Sequence, residues 1–410
     1  MKKKVVVVML SAGLSAVPVI GYADGGSSAS NEHNPVISLI VEGRYAQYDG
    51  ENHFEVPGFQ LVSEEGLYEK GFSTGHNELN ISAKISDTTF GAFSAAIESH
   101  DGSTEVGIEE VYVESSALGH GFAVKGGQFY SHIGIYNVVH EHRQDFADVP
   151  LVYSAMFDTH LVDTGLQLRW KYDAALDLEL GVEATTGTGF PGGESTNGDN
   201  NNGGAAFIKF GDMSDHNINW HAGLSFYSSE FNHRAGGHHA DEGGLEIHDG
   251  TTDVAGVDLA FTFSPNAHSS AGQIMLQFEY FQRDEKGEAE YSDLTDLASG
   301  DYDGDQTGLY LQAVYGFTSK WRAGLRYDLL EADNTLTNFD GDVDGGGGVL
   351  TEEDTGLIAE KDPERMSIMV DFSPNPLSTI RLQYMKDEAG HESENRIYLQ
   401  YLASFGGKKH

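Results

Sequence analysis

The stretch NVVHEHRQDFADVPLVY, from Asn137 to Tyr153, puts His140 and His142 one residue apart, with Arg143, Asp145 and Asp148 close behind. In extended backbone, side chains at i and i+2 point to one side, and neutral imidazole suits Zn²⁺. His140, His142 and Asp145 are therefore candidate metal ligands, although a closed zinc site wants four ligands and an HxH pair supplies two. A second tract, NHRAGGHHADEGGLEIHDG, brings His233, His238, His239 and His248 together with Asp241, Glu242 and Glu246. Its glycines favour a flexible metal-collecting loop over a rigid site. Two acidic runs, DYDGDQTG (Asp301 to Gly308) and DGDVDGGGG (Asp340 to Gly348), imitate the opening of a Ca²⁺ loop. In the second, the twelfth position is Thr351 where a bidentate Glu belongs, so weak Zn²⁺ or Ca²⁺ contact in loops is the expectation and no cofactor is required. HExxH and P-loop motifs are absent, which points away from an enzyme.

What positions these residues depends on the kind of chain. MKKKVVVVMLSAGLSAVPVIGYADGG opens with Lys2, Lys3 and Lys4, continues with a short apolar run, and offers Gly21-Tyr22-Ala23 as a cleavage site. The run is shorter than the ~20 residues a helix needs to span a bilayer. Residues 1–23 therefore read as an export signal cut after Ala23, and 24–35 as a short periplasmic lead-in. Cysteine is absent, so no disulfide framework can form. With 24 Lys+Arg against 64 Asp+Glu, the chain is a poor partner for nucleic acid, whose phosphates need clustered cations.

From about Pro35 the sequence alternates with period two. In VISLIVEGRYAQY, Ile37, Leu39, Val41 and Tyr45 face opposite Ser38, Glu42, Arg44 and Ala46. Roughly sixteen such segments occupy 36–405, many near the ~9–11 residues a tilted membrane strand needs. Their connections alternate short and long, which predicts an all-β, transmembrane antiparallel barrel of 14–18 strands with short periplasmic turns and long extracellular loops. Aromatic residues such as Tyr48, Trp170, Tyr172 and Trp321 gather near segment ends, as interface girdles do. The third long loop spans about 130–160, and residues 406–410 form a tail beyond Phe405.

If apolar faces meet lipid, polar faces line the interior. The expected pore lining is Glu42, Arg44, Glu78, Lys84, Glu110, Arg169, Asp177, Glu179, Arg322, Arg326, Arg381 and Arg396. Lys or Arg facing lipid costs ~2–4 kcal/mol at the midplane, so a wet lumen is the expectation. Acidic side chains concentrate on early strands and arginines on late ones, which would set a transverse field across the pore.

This layout resembles a general bacterial outer-membrane porin. NPVISLIVEGRYAQY, VPGFQL and GQFYSHIGIYN followed by HEHRQDFADVPLVY more specifically resemble the zinc-regulated porin-like outer-membrane proteins of Gram-negative bacteria. That resemblance implies an inward-folded third loop, with His140, His142, Arg143, Asp145, Asp148 and His160 at a constriction. It also implies passive diffusion of small hydrophilic solutes or ions, a homotrimer in the outer membrane, and recognition of the last strand by the barrel-assembly machinery. The acidity and the histidines add a preference for cations, with zinc uptake as the specific form. A phosphate- or anion-selective channel would need denser Lys and Arg, and a non-conducting barrel that binds ligands through its surface loops is the reading from another class.

Overall fold

The computed structural model describes residues 34–50, 54–62, 67–100, 103–172, 176–195, 202–212, 217–236, 244–265, 269–292, 297–342 and 351–406. The export signal, most of the lead-in, His238, His239 and the tail after Gly406 lie outside them.

The alternation becomes one antiparallel sheet closed on itself. Its strands are β1 (Val36–Tyr48), β2 (Gly71–Ser73), β3 (Asn77–Lys84), β4 (Thr89–His100), β5 (Ser103–Ser115), β6 (Phe122–Tyr130), β7 (Val162–Tyr172), β8 (Asp177–Thr185) and β9 (Gly203–Asp212). They continue with β10 (Ile218–Ala235), β11 (Gly244–Phe263), β12 (Ile274–Ser292), β13 (Leu297–Gly316), β14 (Trp321–Asp342), β15 (Glu364–Asn375), β16 (Ser378–Asp387) and β17 (Glu394–Gly406). Both β2 and β3 pair with β1, so they form one interrupted strand and the barrel has sixteen. β1 also pairs with β17, from Ser38 opposite Gly406 to Tyr48 opposite Arg396. Closure leaves the sheet no edge, which is what an antiparallel sheet needs where no water can satisfy it.

Around the outside, Leu166, Leu168, Val182, Leu224, Phe226, Leu259, Leu311, Leu325, Leu382 and Leu399 are exposed and apolar. They form the lipid-type band of an outer-membrane barrel. On the long-loop side the wall rises well above that band, because β10 to β14 run for 18, 20, 19, 20 and 22 residues. DYDGDQTG, expected as a loop, is therefore part of β13. There Tyr302, Gly304 and Gln306 are buried inward while Asp301, Asp303 and Asp305 face outward or stand partly exposed. Outside the membrane the outward face is acidic instead of apolar, so hydrophobic alternation alone does not reveal this strand. Inside the tall wall, Phe231, Ile247, Ala289, Tyr302, Leu336 and Leu357 form a separate apolar cluster.

The third long loop, residues 131–161, folds into the lumen and is its core. Its backbone includes 3-10 turns at Tyr136–Val138 and Glu141–Arg143 and one helix, α1 (Leu151–Phe157). Every α1 residue except Ser154 is buried. They pack with Phe54, Val56, Phe59, Tyr227, Phe281, Tyr310, Leu330 and Tyr398. The sequence reading finds no helix here, for a physical reason: a helix surrounded on all sides has no polar face, so LVYSAMF shows no 3.6-residue pattern. Gly134 has φ of +56°, and a Cβ there would collide with the Glu279 carboxylate and the Tyr153 hydroxyl.

Wall side chains satisfy the loop's irregular backbone. Arg381 donates to the carbonyls of Gln144 (2.7 Å) and Phe146 (2.8 Å), and Arg326 to that of Asp148 (2.8 Å). Lys209 donates to the Gly134 carbonyl at 2.6 Å. Carboxylates take the amides: Glu279 accepts from Ile135 and Tyr136, Glu183 from His132, and Asp328 from Leu151. Asp148 receives Arg326 (2.7 Å), Arg365 (2.9 Å) and Gln383 on its carboxylate. Removing one member of a buried pair strands its partner and costs ~3–5 kcal/mol. Arg326→Met should lower the unfolding midpoint of the refolded barrel and open new protease cleavage within residues 140–160. A variant with an unchanged midpoint and an intact loop would show that the arginine is not an anchor.

Candidate functional site

The sequence-expected constriction residues do line one structure, but they divide between two of its sides. His140 and His142 turn towards the acidic wall of β3 and β5. His140 Nδ1 lies 3.0 Å from Glu78 and its Nε2 3.2 Å from Glu110. His142 Nδ1 lies 2.6 Å from the other Glu78 oxygen, while its Nε2 accepts from Arg143 at 3.2 Å. Asp145 stands on the opposite side, paired with Arg322 at 2.8 Å. The expected His140–His142–Asp145 ligand set is thereby broken up. The alternation of an extended segment does not hold here, because Glu141–Arg143 is a 3-10 turn.

Those neighbours fix the charge on each ring. Burial opposes a proton on His140, but Glu78, Glu109 and Glu110 outweigh it and hold the ring well above the usual histidine range. Carboxylates at both nitrogens leave His140 an imidazolium. Burial dominates at His142 and pushes it down, so it is neutral. Burial likewise brings His160 down to about 4, against its bond to the Asn137 carbonyl. Its Nδ1 donates to that carbonyl at 3.0 Å, and its ring lies 4.7 Å from that of Tyr130.

Four residues outside the expected site, His76, Glu98, Glu109 and Glu141, complete the acidic side. His76, in the break between β2 and β3, lies 2.5 Å from Glu98 and 3.1 Å from both Glu109 and Glu141. Two donor sets converge within 4.8 Å here: His76, Glu78 and Glu109, and His76, Glu98 and Glu141. Glu109 points inward beside Glu110 because the β4–β5 register skips it: Ser94 opposes Glu110 and Ala95 opposes Ile108. A β-bulge of this kind re-aims one side chain, and strict alternation assigns Glu109 to the lipid face. Ser94 Oγ and Tyr130 Oη bond Glu109 at 2.6 and 2.9 Å.

The remaining expected pore-lining residues are mostly engaged in pairs. Glu42 and Arg44 are buried, with Arg44 2.8 Å from Glu141 and over the Tyr68 ring. Arg169 bridges Glu114 and Glu179. Arg322, Arg326 and Arg381 pair with Asp371 and Asp328 as well as with the loop, and Arg396 pairs with Asp387 and Glu394. The expected basic wall is thus neutralised in place: its guanidiniums are held in ion pairs, and those of Arg322, Arg326 and Arg381 also fasten the loop. Lys84, paired with Asp87, and Asp177, first residue of β8, stand at the short-turn rim.

A cavity of about 270 Å³ lies between the loop and the wall. His76, Glu98, Glu109, Tyr130, Glu141 and His160 border it on one side and Asp148, Arg365, Arg396 and Tyr398 on the other. Imidazole and carboxylate oxygens line its acidic side, donor types that attract and coordinate cations.

No family model matches the chain. It is 27% identical over 386 residues to an uncharacterized protein of Aquifex aeolicus, covering 88% of this chain and 75% of that one. Among solved structures it is similar to a loop-deletion form of OmpT, an outer-membrane protein of Vibrio cholerae, with a TM-score of 0.52 and 10% identity over 92% of this chain and 100% of that one. It is similar also to an anion-selective porin from Comamonas acidovorans, with a TM-score of 0.50 and 10% identity over 91% and 99%. These likenesses show the fold: a porin-like outer-membrane barrel.

His160 makes the loop sensitive to acid. Its folded value lies below the ordinary ~6.5, so its contribution is complete above pH ~6.5 and is lost as pH falls towards 4, by up to ~3 kcal/mol. Proteolysis of the loop should accelerate over that window, and His160→Phe, which keeps a ring without titrating, should flatten the slope. An equal slope in both proteins would remove His160 as the cause.

Proposed function

We propose that the chain is a porin, a passive outer-membrane channel for small hydrophilic solutes, and that it prefers cations. The observation that carries this reading is the asymmetry of the cavity beside the third loop. On its acidic side Glu98, Glu109 and Glu141 surround His76, whereas Arg365 and Arg396 on the other side are already paired with Asp148 and Asp387. Three carboxylates there stand against His76 and Arg44, so a permeating cation meets a net negative field, whereas an anion meets guanidiniums already held in ion pairs. That balance disfavours the anion-selective alternative. Zinc is the cargo the donors suit best, since it takes imidazole together with carboxylate, whereas Ca²⁺ and Mg²⁺ take oxygen ligands and do not favour imidazole. Contact would be transient, at His76, Glu98, Glu109 and Glu141, with His140 and His142 holding the wall beside them.

The apolar outer band supports placement in the outer membrane. A homotrimer belongs to the same proposal: a trimer form is described for OmpT of Vibrio cholerae, to which the fold is similar with a TM-score of 0.51. One observation favours the non-conducting, surface-binding reading instead. Residues 54–61 and 131–161 pack an apolar core across the lumen.

Planar-bilayer recording separates these readings. Under a salt gradient the refolded barrel should conduct with a cation-favouring reversal potential, and micromolar Zn²⁺ should reduce monovalent current. Glu109→Gln combined with His76→Ala should weaken both effects by several-fold. Absence of conductance would establish the non-conducting barrel, and an anion-favouring potential would overturn the cation preference.

A further inference from the structure

The tract containing His233 and His248 is not a flexible loop at those positions. His233 lies near the end of β10 and His248 near the start of β11, and the two are directly opposed across the strand pair. Glu246 stands two residues before His248, so it emerges on the same face. Glu246 Oε2 lies 3.0 Å from His233 Nε2 and 3.3 Å from His248 Nε2, with the two rings 5.2 Å apart. An ion bound tetrahedrally at ~2.1 Å by nitrogen and oxygen holds its donors about 3.4 Å apart. The three donor atoms therefore already stand near coordination spacing.

Both strands are held. The His233 carbonyl accepts from Glu194 N–H at 2.8 Å, and β12 flanks the other side with Glu288 opposite His248 and Glu290 opposite Glu246. His248 Nε2 is shielded from solvent without a hydrogen-bond partner. The inward side of the same stretch is Ile247 and Ala289, buried in the upper apolar cluster. The three donors consequently face away from the lumen, above the lipid band, where Ser228 and Glu230 have replaced the outward apolar residues Leu224 and Phe226.

We propose that His233, Glu246 and His248 form an external site for a borderline divalent metal of the Zn²⁺ class, with Glu288 or water completing the shell. Two imidazoles discriminate against Ca²⁺ and Mg²⁺, which take oxygen. The two register-paired carboxylates raise the local negative potential and favour divalent over monovalent ions. The site does not depend on the channel reading. A bound ion would tie β10 to β11 where the hairpin leaves the membrane.

Its test is calorimetric titration of the folded full-length barrel with ZnCl₂ in millimolar Ca²⁺, with heat-modifiable gel mobility checking that each variant is folded. His76→Ala with His140→Ala removes luminal imidazoles and should leave one zinc equivalent bound. Adding His233→Ala and His248→Ala should weaken that binding at least tenfold, whereas His238→Ala with His239→Ala should not. Cu²⁺ bound to the first variant should show electron-paramagnetic coupling to two imidazole nitrogens, lost with His233 and His248. Binding that survives loss of these two, that follows His238 and His239, or that Ca²⁺ displaces would overturn the assignment.

Discussion

A loop that leaves a barrel wall and crosses the lumen carries its amides and carbonyls away from every strand able to pair them, and everything inside this barrel follows from how that debt of hydrogen bonds is met. Residues 131–161 depend on charged side chains from the wall: arginines and Lys209 take carbonyls, and Glu183, Glu279 and Asp328 take amides. Buried polar groups left unpaired cost ~1–3 kcal/mol each, so the wall charges and the loop's irregular path require one another. The helix Leu151–Phe157 then fills the centre with apolar side chains.

The charge separation along the sequence acquires its meaning from that arrangement. Late strands supply arginines because Asp145 and Asp148 and the carbonyls around them must be held on that side. Early strands supply glutamates that receive His140, His142 and His76. One side is neutralised by full ion pairs, while the other is compensated by histidines whose protonation differs: His140 is charged and His142 neutral. The carboxylates of the acidic side, Glu98, Glu109 and Glu141, border the cavity together with His76.

The barrel was legible in the sequence because period-two alternation and loop-length asymmetry record membrane strands directly. Closure and a count near sixteen came from the even number of alternating segments, and the inward third loop was what the porin resemblance implied. What stayed hidden breaks the period. Glu109 faces inward through a bulge, β13 rises above the bilayer with Asp301 and Asp303 outward, and the central helix has no polar face to show a pattern. The pairing of Asp145 with Arg322 joins positions 177 residues apart, which no local spacing encodes. The same limit made His233 and His248 look like parts of a loop when strand register sets them side by side.

The claim on which the rest turns is that the third loop is fastened inside the barrel with its helix at the centre. The chain has no cysteine, so single cysteines report cleanly. Ala155→Cys, on the buried helix, should resist a membrane-impermeant thiol reagent in the folded barrel at neutral pH, while Thr159→Cys, at the edge of the cavity, should react. Rapid labelling of Ala155→Cys in a demonstrably folded barrel would contradict the account, because it would place the helix in water and not at the core.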